Sequence, residues 1–243
     1  MHLCEKCYAN LKSNQCYMFG NEMKKEHVNL RKIDRMGVLA FQNAIRLHKD
    51  SVLLFHNQRF PSAYALSVLS LEEIGKYFMI EDFVFHCRIE GRVEPKQEEE
   101  DIRLIYNHRY KQNVFANQAD FPLFAKRAIK SIYEGRIEKK KQDSIYVGLP
   151  RQGKGINLRG RLINPLKILR RQAEGQITLV NDFILCTAAG VLKGFFSVDI
   201  YDLEDVLTHD LIRNLRQMWP NMSASARKNF NDIMKHPDIA DEE

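Results

Sequence analysis

The 243-residue chain has no long uncharged apolar run. Its strongest membrane-span candidate, Ile177 to Val198, is interrupted by Asn181, Asp182 and Lys193. Such groups are expensive in hydrocarbon, so a buried amphipathic helix is expected there and no membrane association. The start, MHLCEKC, has no apolar stretch behind a basic flank, so no secretory signal is expected. Cysteine is scarce and odd in number: Cys4, Cys7, Cys16, Cys87 and Cys186. Two of these stand alone in apolar surroundings and read as reduced core thiols, which points to the cytoplasm. Neither Gly-x-Ser-x-Gly nor His-Glu-x-x-His occurs, so serine-hydrolase and zincin chemistry have no footing. Internal repeats are missing and strand patterns nearly so.

The chain does have the composition of a globular protein, 44% apolar and 28% charged. At this length folding buries roughly 70% of the unfolded chain's surface, so stability demands no cofactor and none is expected. The net charge of +6 conceals an asymmetry. Between Lys126 and Arg171 stand fourteen Lys or Arg against Glu134, Glu138 and Asp143, which makes that stretch +11 and leaves the remainder at −5. An excess of this kind is either a solvated face or the electrostatic footprint of a phosphate-rich partner.

Periodicity organises the chain after a polar arm. Residues 1–30 carry three cysteines and no sustained apolar period. From Phe41 the positions Phe41, Ala44, Ile45, His48, Val52 and Phe55 share one helical face, and His48 reads as a core residue. Asn57 to Pro61 breaks that helix, and Pro61 suits the first turn of the next, Ser62 to His86, which is apolar on nearly all sides. A third helix is expected from the acidic run at 98–101 to about Ala116, and a fourth, short one from Phe121 to Gly135. From Arg136 to Asn164 the pattern fails. A Lys run, a short extended piece Ile145-Tyr146-Val147 and a Gly-rich basic stretch read as one long loop. Asn164 and Pro165 open a fifth helix to about Phe196, and two shorter helices near 203–218 and 224–235 follow.

Several charges lie where a core should be. Glu72, Glu73 and Lys76 sit inside the apolar second helix, where ionised groups must be paired. Glu72 and Lys76 are spaced to meet on one face. Gly75 between them suggests that another backbone or a ligand comes close. On the third helix His108 and Lys111 share the face of Leu104, Ile105 and Phe115. Arg103 lies about 140° around an ideal helix from His108, so it shares their site only if that turn is irregular or its side chain wraps. The GLPRQGKG string at 148–155 imitates a phosphate-binding loop, but Gly155 stands where Ser or Thr should hold magnesium. Cys4, Cys7, Cys16 and either His2 or His27 offer a possible zinc set, although the second half of a paired Cys-x-x-Cys motif is missing.

The string from Phe41 to Lys76, FQNAIRLHKDSVLLFHNQRFPSAYALSVLSLEEIGK, resembles the signature of the AbiV family of bacterial abortive-infection proteins. That family shows an Asn-Ala-x-Arg-Leu helix, an Arg-x-Pro-Ser-Ala-Tyr step and a Glu-Glu-(Leu or Ile)-Gly-Lys centre. The likeness extends more loosely through His108 and Lys111 and covers about residues 35–195. It implies membership of the HEPN superfamily, all-α bundles that often dimerise and in many members cut RNA without a metal through an Arg-x(4–6)-His motif. Arg103 to His108 matches that pattern here.

The fold expected is therefore an all-α, HEPN-like bundle of about five to seven helices with a long basic loop. Its expected organisation is a Cys-bearing arm (1–30), a HEPN-like domain (31–200) and a C-terminal helical extension (201–243). The resemblance implies an anti-phage effector that arrests host growth by metal-independent RNA cleavage. His108 would be the acid or base, Lys111, Lys76 and Arg103 would stabilise phosphate charge, and Glu72 or Glu73 would orient them. Lys139, Lys140, Lys141, Arg151, Lys154, Arg159 and Arg161 would hold RNA. The alternative is a non-catalytic inhibitor docking on the translation machinery or on a phage or host protein. A homodimer and a phage-encoded activator are the further partners expected.

Overall fold

The computed structural model of the protein describes residues 26–119, 126–152, 155–192, 203 and 205–234. Its frame is a helical hairpin of α1 (Leu30–His56) and α2 (Phe60–Ile89). Asn29 starts α1 by accepting the Lys32 amide at 3.1 Å, the usual work of an N-cap asparagine. The turn between the helices is short: Asn57 caps α1, Gln58 takes the left-handed conformation at φ 61°, and Pro61 lies in the first turn of α2. α1 begins eleven residues before Phe41, because Gly37 and Ala40 extend its buried stripe along the C-terminal half of α2.

Helix α2 is buried on nearly all sides, as its composition implies, and it forms the axis of the bundle. Around it lie α3 (Pro95–Leu104), α4 (His108–Ala119), α5 (Lys126–Tyr133), α6 (Arg136–Ile145) and α7 (Arg170–Leu192). Helices α8 (His209–Met218) and α9 (Ala224–Met234) complete the described chain. The sole strands among the described residues, β1 (Arg151–Gln152) and β2 (Gly155–Ile156), form a two-residue antiparallel pair. The fold is all-α, with nine α-helices among the described residues instead of five to seven.

Two local features account for the larger number. The expected third helix is two, α3 and α4, because the Asn107 side chain accepts the Tyr110 amide at 3.1 Å and caps a new helix starting at His108. The expected long loop begins with a helix, α6. Gly135, at φ 69°, turns the chain out of α5, and the Lys-rich run that follows consists of good helix formers. Beyond it, Tyr146 is extended as read, Gly148 bridges Ile163, and Asn164 caps a single 3-10 turn, Pro165–Lys167, so that the long helix proper starts at Arg170.

The main apolar cluster of the core runs through α1, α2 and α7, and a smaller one, Ile80, Val84 and Ile105, lies towards the C-terminal end of α2. Phe78 and Phe115 both meet Phe183 of α7, with ring centroids 5.7 and 4.5 Å away. Leu207, Ile212, Leu215 and Trp219 belong to the same cluster, and Trp219 packs edge-on against Phe55 while its Nε1 donates to Thr178 at 3.0 Å. The described part of the C-terminal segment is thus built into the bundle. His48 is fully buried, as its spacing implied, and its Nε2 lies 3.1 Å from Asn181 Oδ1 on α7. Burial pushes its pKa down to about 4, so the imidazole is neutral in the core. The acidic run opening α3 does more than favour the helix dipole. Glu98 is buried and takes two bonds of 2.7 Å from Arg92, one of 2.9 Å from the Val28 amide and one of 3.0 Å from His27 Nδ1, clasping the start of α1. These partners, Arg92 foremost, hold its carboxyl down to about 2.

Gly75 is where α2 and α4 touch. A Cβ built there would lie 2.1 Å from the carbonyl oxygen of Lys111. The obstacle is backbone and cannot rotate aside, so Gly75→Ala is expected to destabilise by about 3 kcal/mol. That outweighs the ~1 kcal/mol alanine gains in helix propensity. Denaturant unfolding of the variant checks this; unchanged or raised stability would contradict the close approach.

Candidate functional site

The site is assembled on the middle of α2, one face of which α4 and α6 cover. Glu72 is 1% exposed, among the most buried charged residues in the bundle. Three donors reach it. His108 donates through Nδ1 to Oε2 at 2.6 Å, while Gln112 Nε2 at 2.8 Å and Lys141 Nζ at 2.6 Å share Oε1. Glu138 forms the outer wall, accepting from Lys141 at 2.8 Å and from Gln112 at 2.7 Å. A buried carboxylate is tolerated when its lone pairs are met in this way, and charge-assisted bonds of this length are strong.

Capping explains how His108 is presented. As the first residue of α4 it stands at the rim of the bundle with its side chain 55% exposed, anchored beneath by Glu72. The result is an imidazole with a fixed inner nitrogen and an outer face open to solvent. Beside it the Lys111 ammonium lies 4.0 Å from Glu73 and is nearly buried. Burial lowers its pKa from the ordinary lysine value, with Lys76 and Lys141 pushing the same way and Glu72 and Glu73 opposing. Burial would also lower Lys141, but its bonds to Glu138 and Glu72 outweigh this and raise it. Glu138, which burial alone would raise, is lowered chiefly by Lys141.

Of the candidates named from the sequence, Glu72, Glu73, His108 and Lys111 come together, and Lys76 lies close enough to bias Lys111. Glu72 is not bonded by Lys76, one turn along its own helix, but by residues 36, 40 and 69 positions away. Arg103 does not join the site. It lies in the last turn of α3, is 70% exposed and pairs with Glu99, because the break capped by Asn107 puts it on a different helix from His108.

The basic set also divides. Lys141 does not face solvent for RNA but is buried against two carboxylates, since helical spacing puts it on the inner face with Ile137 and Ser144. Lys139, Arg159 and Arg161 are exposed, and Lys140 sits 5.9 Å above the Tyr64 ring. Arg151 contributes backbone to β1, its side chain and Lys154 lying outside the described residues. So do Cys4, Cys7 and Cys16, whereas His27, their expected partner in a zinc set, bonds Glu98. Among the described residues no group of three or more His, Cys, Asp or Glu is placed to hold a metal ion.

Sequence reasoning missed Gln112 and Glu138 and placed Lys141 on the wrong side. The available signal was the spacing of Ile137, Lys141 and Ser144, a faint inner stripe within a run that otherwise reads as solvated. A cleft of about 500 Å³ opens elsewhere, between α5, α7 and the start of α9, and none of the site residues lines it.

The nearly all-helical architecture, packed around one axial helix, is that of a HEPN-like bundle. The HEPN-type family model described as AbiV matches residues 32–184, which include every residue of the site. The chain belongs to the AbiV family and is a defence protein of the abortive-infection type. No curated protein and no solved structure matches it. Among the described residues no helix is long and apolar enough to cross a membrane.

Removing the central carboxylate separates structural from peripheral charges. Glu72→Ala leaves Lys141 buried with one carboxylate fewer and is expected to cost about 3 kcal/mol. Arg103→Ala, at an exposed pair on one helix, should stay within about 0.5 kcal/mol. Chemical denaturation of the two variants side by side measures the contrast, and equal losses would contradict the arrangement.

Proposed function

We propose that this AbiV protein arrests the infected cell by cutting RNA, with His108 as the acid–base group. One observation carries the reading: a half-exposed imidazole is fixed through Nδ1 by a buried carboxylate 2.6 Å away. That anchorage selects the tautomer whose outer nitrogen is free to accept a proton, the same division of labour by which a buried acid orients a catalytic histidine elsewhere. His108 would take the proton of a ribose 2′-hydroxyl as O2′ bonds to the adjacent phosphorus. The P–O5′ bond then breaks, and the proton held by His108 passes to the leaving oxygen, which returns the imidazole to its neutral form. Lys111, with Lys76 nearby, supplies positive charge for the developing phosphorane. The products are a 2′,3′-cyclic phosphate and a 5′-hydroxyl, and DNA, lacking the 2′-hydroxyl, is not a substrate.

On this reading cleavage proceeds without a divalent ion, since the proton transfers are assigned to side chains. Mapping RNA ends in cells expressing wild type and His108→Ala tests it. The wild type should leave cyclic-phosphate ends and arrest growth, and the variant should do neither while keeping its helical fold. An arrest that survives His108→Ala overturns the reading.

A second reading rests on a separate observation. The segment after α6 exposes Val147, Leu158 and Leu166 beside Arg159 and Arg161. Aliphatic side chains among cations suit a protein surface of the translation machinery, or a phage or host protein, as well as RNA phosphates. Charge reversal at Lys139, Arg159 and Arg161 tests the RNA alternative. If the segment holds RNA, affinity falls, and the slope of log K against log salt drops by about one for each phosphate that the variant no longer neutralises. An unchanged affinity and slope mean that the segment does not hold RNA and is a solvated surface in that respect.

A further inference from the structure

We propose that Lys141 is a positioning residue for His108: it fixes the orientation of the Glu72 carboxylate and sets how much negative charge that carboxylate presents to the imidazole. The proposal rests on the reading of His108 as the working group, and the geometry supplies the rest. Lys141 Nζ is 2.6 Å from Glu72 Oε1 and 2.8 Å from Glu138 Oε2, with its side chain 5% exposed. Gln112 donates to the same two carboxylates, at 2.8 and 2.7 Å. Two donors from two helices therefore hold Oε1 and leave Oε2 turned towards His108.

The charges around His108 close the argument. From α2 come Glu72, Glu73 and Lys76, from α4 Lys111, and from α6 Glu138 and Lys141. The formal charges of these three carboxylates and three ammoniums sum to zero. Without Lys141 one negative charge is left over, and the imidazolium becomes the balancing cation. Lys141 thus offsets the negative charge of the acid that orients His108. The helix carrying Lys141 runs directly into the exposed basic and apolar segment.

Titration of the His108 ring protons by NMR, on the full chain and without RNA, tests this. In Lys141→Met, close in shape but uncharged, the midpoint should rise by about one pH unit relative to wild type. Lys141→Arg should return it towards wild type. Glu138→Gln removes a negative charge from the same cluster and should lower it. General loosening of the site would move both neutral variants in the same direction, so opposite shifts are the diagnostic outcome. A midpoint unmoved in Lys141→Met, or shifts of one sign in both neutral variants, overturns the proposal. The titration does not depend on cleavage: if the shifts occur and His108→Ala still arrests growth, the positioning role stands and the ribonuclease reading fails.

Discussion

Burying one carboxylate in the middle of an apolar helix constrains everything around it. Glu72 sits on the most buried helix of the bundle, where an ion deprived of water must be fully bonded. The helix itself cannot supply the donors, so α4 and α6 must bring them. That requirement explains the close approach at Gly75, which lets the backbone of α4 lie against α2. It also explains why a run of lysines folds as a docked helix: Lys141 is drawn inward, and Lys139 and Lys140 follow at the surface.

The remainder of the bundle holds this arrangement still. α1 and α7 pack α2 from other sides through Phe41, Phe78 and Phe183, and the buried His48–Asn181 pair ties α1 to α7. Glu98 clasps the beginning of α1 to α3 through four bonds. Trp219 brings the C-terminal helices onto the same core through Phe55 and Thr178. The ring anchored by Glu72 therefore rests on a packed base.

The functional character of the site comes from an asymmetry of exposure. His108 is anchored from below and open above, since Asn107 starts a new helix at the rim of the bundle. A continuous third helix would have kept Arg103 and His108 on one rod. The break sends Arg103 to a solvent-facing pair with Glu99. Cationic charge near the imidazole is supplied instead by Lys111 on α4 and Lys76 on α2. The basic segment beyond α6 presents a second, more open surface, joined to the first by one short helix.

The amino-acid sequence by itself determined the helical class, the α1–α2 hairpin and the family, because these are written in local periodicity, in Pro61 and Asn57, and in a contiguous string of residues. It also marked Glu72, Glu73, His108 and Lys111 as charges out of place, since a charge within an apolar stripe is visible wherever the stripe is. Only the tertiary structure decided which charges meet. Lys141 lies 69 positions from Glu72 in a run of identical lysines, and a lysine reads the same in sequence whether it faces water or a buried acid. The break at Asn107 was equally hidden, because asparagine is tolerated within a helix as well as at its cap. A counter-ion is chosen by distance and dielectric, and both exist only once the helices have packed.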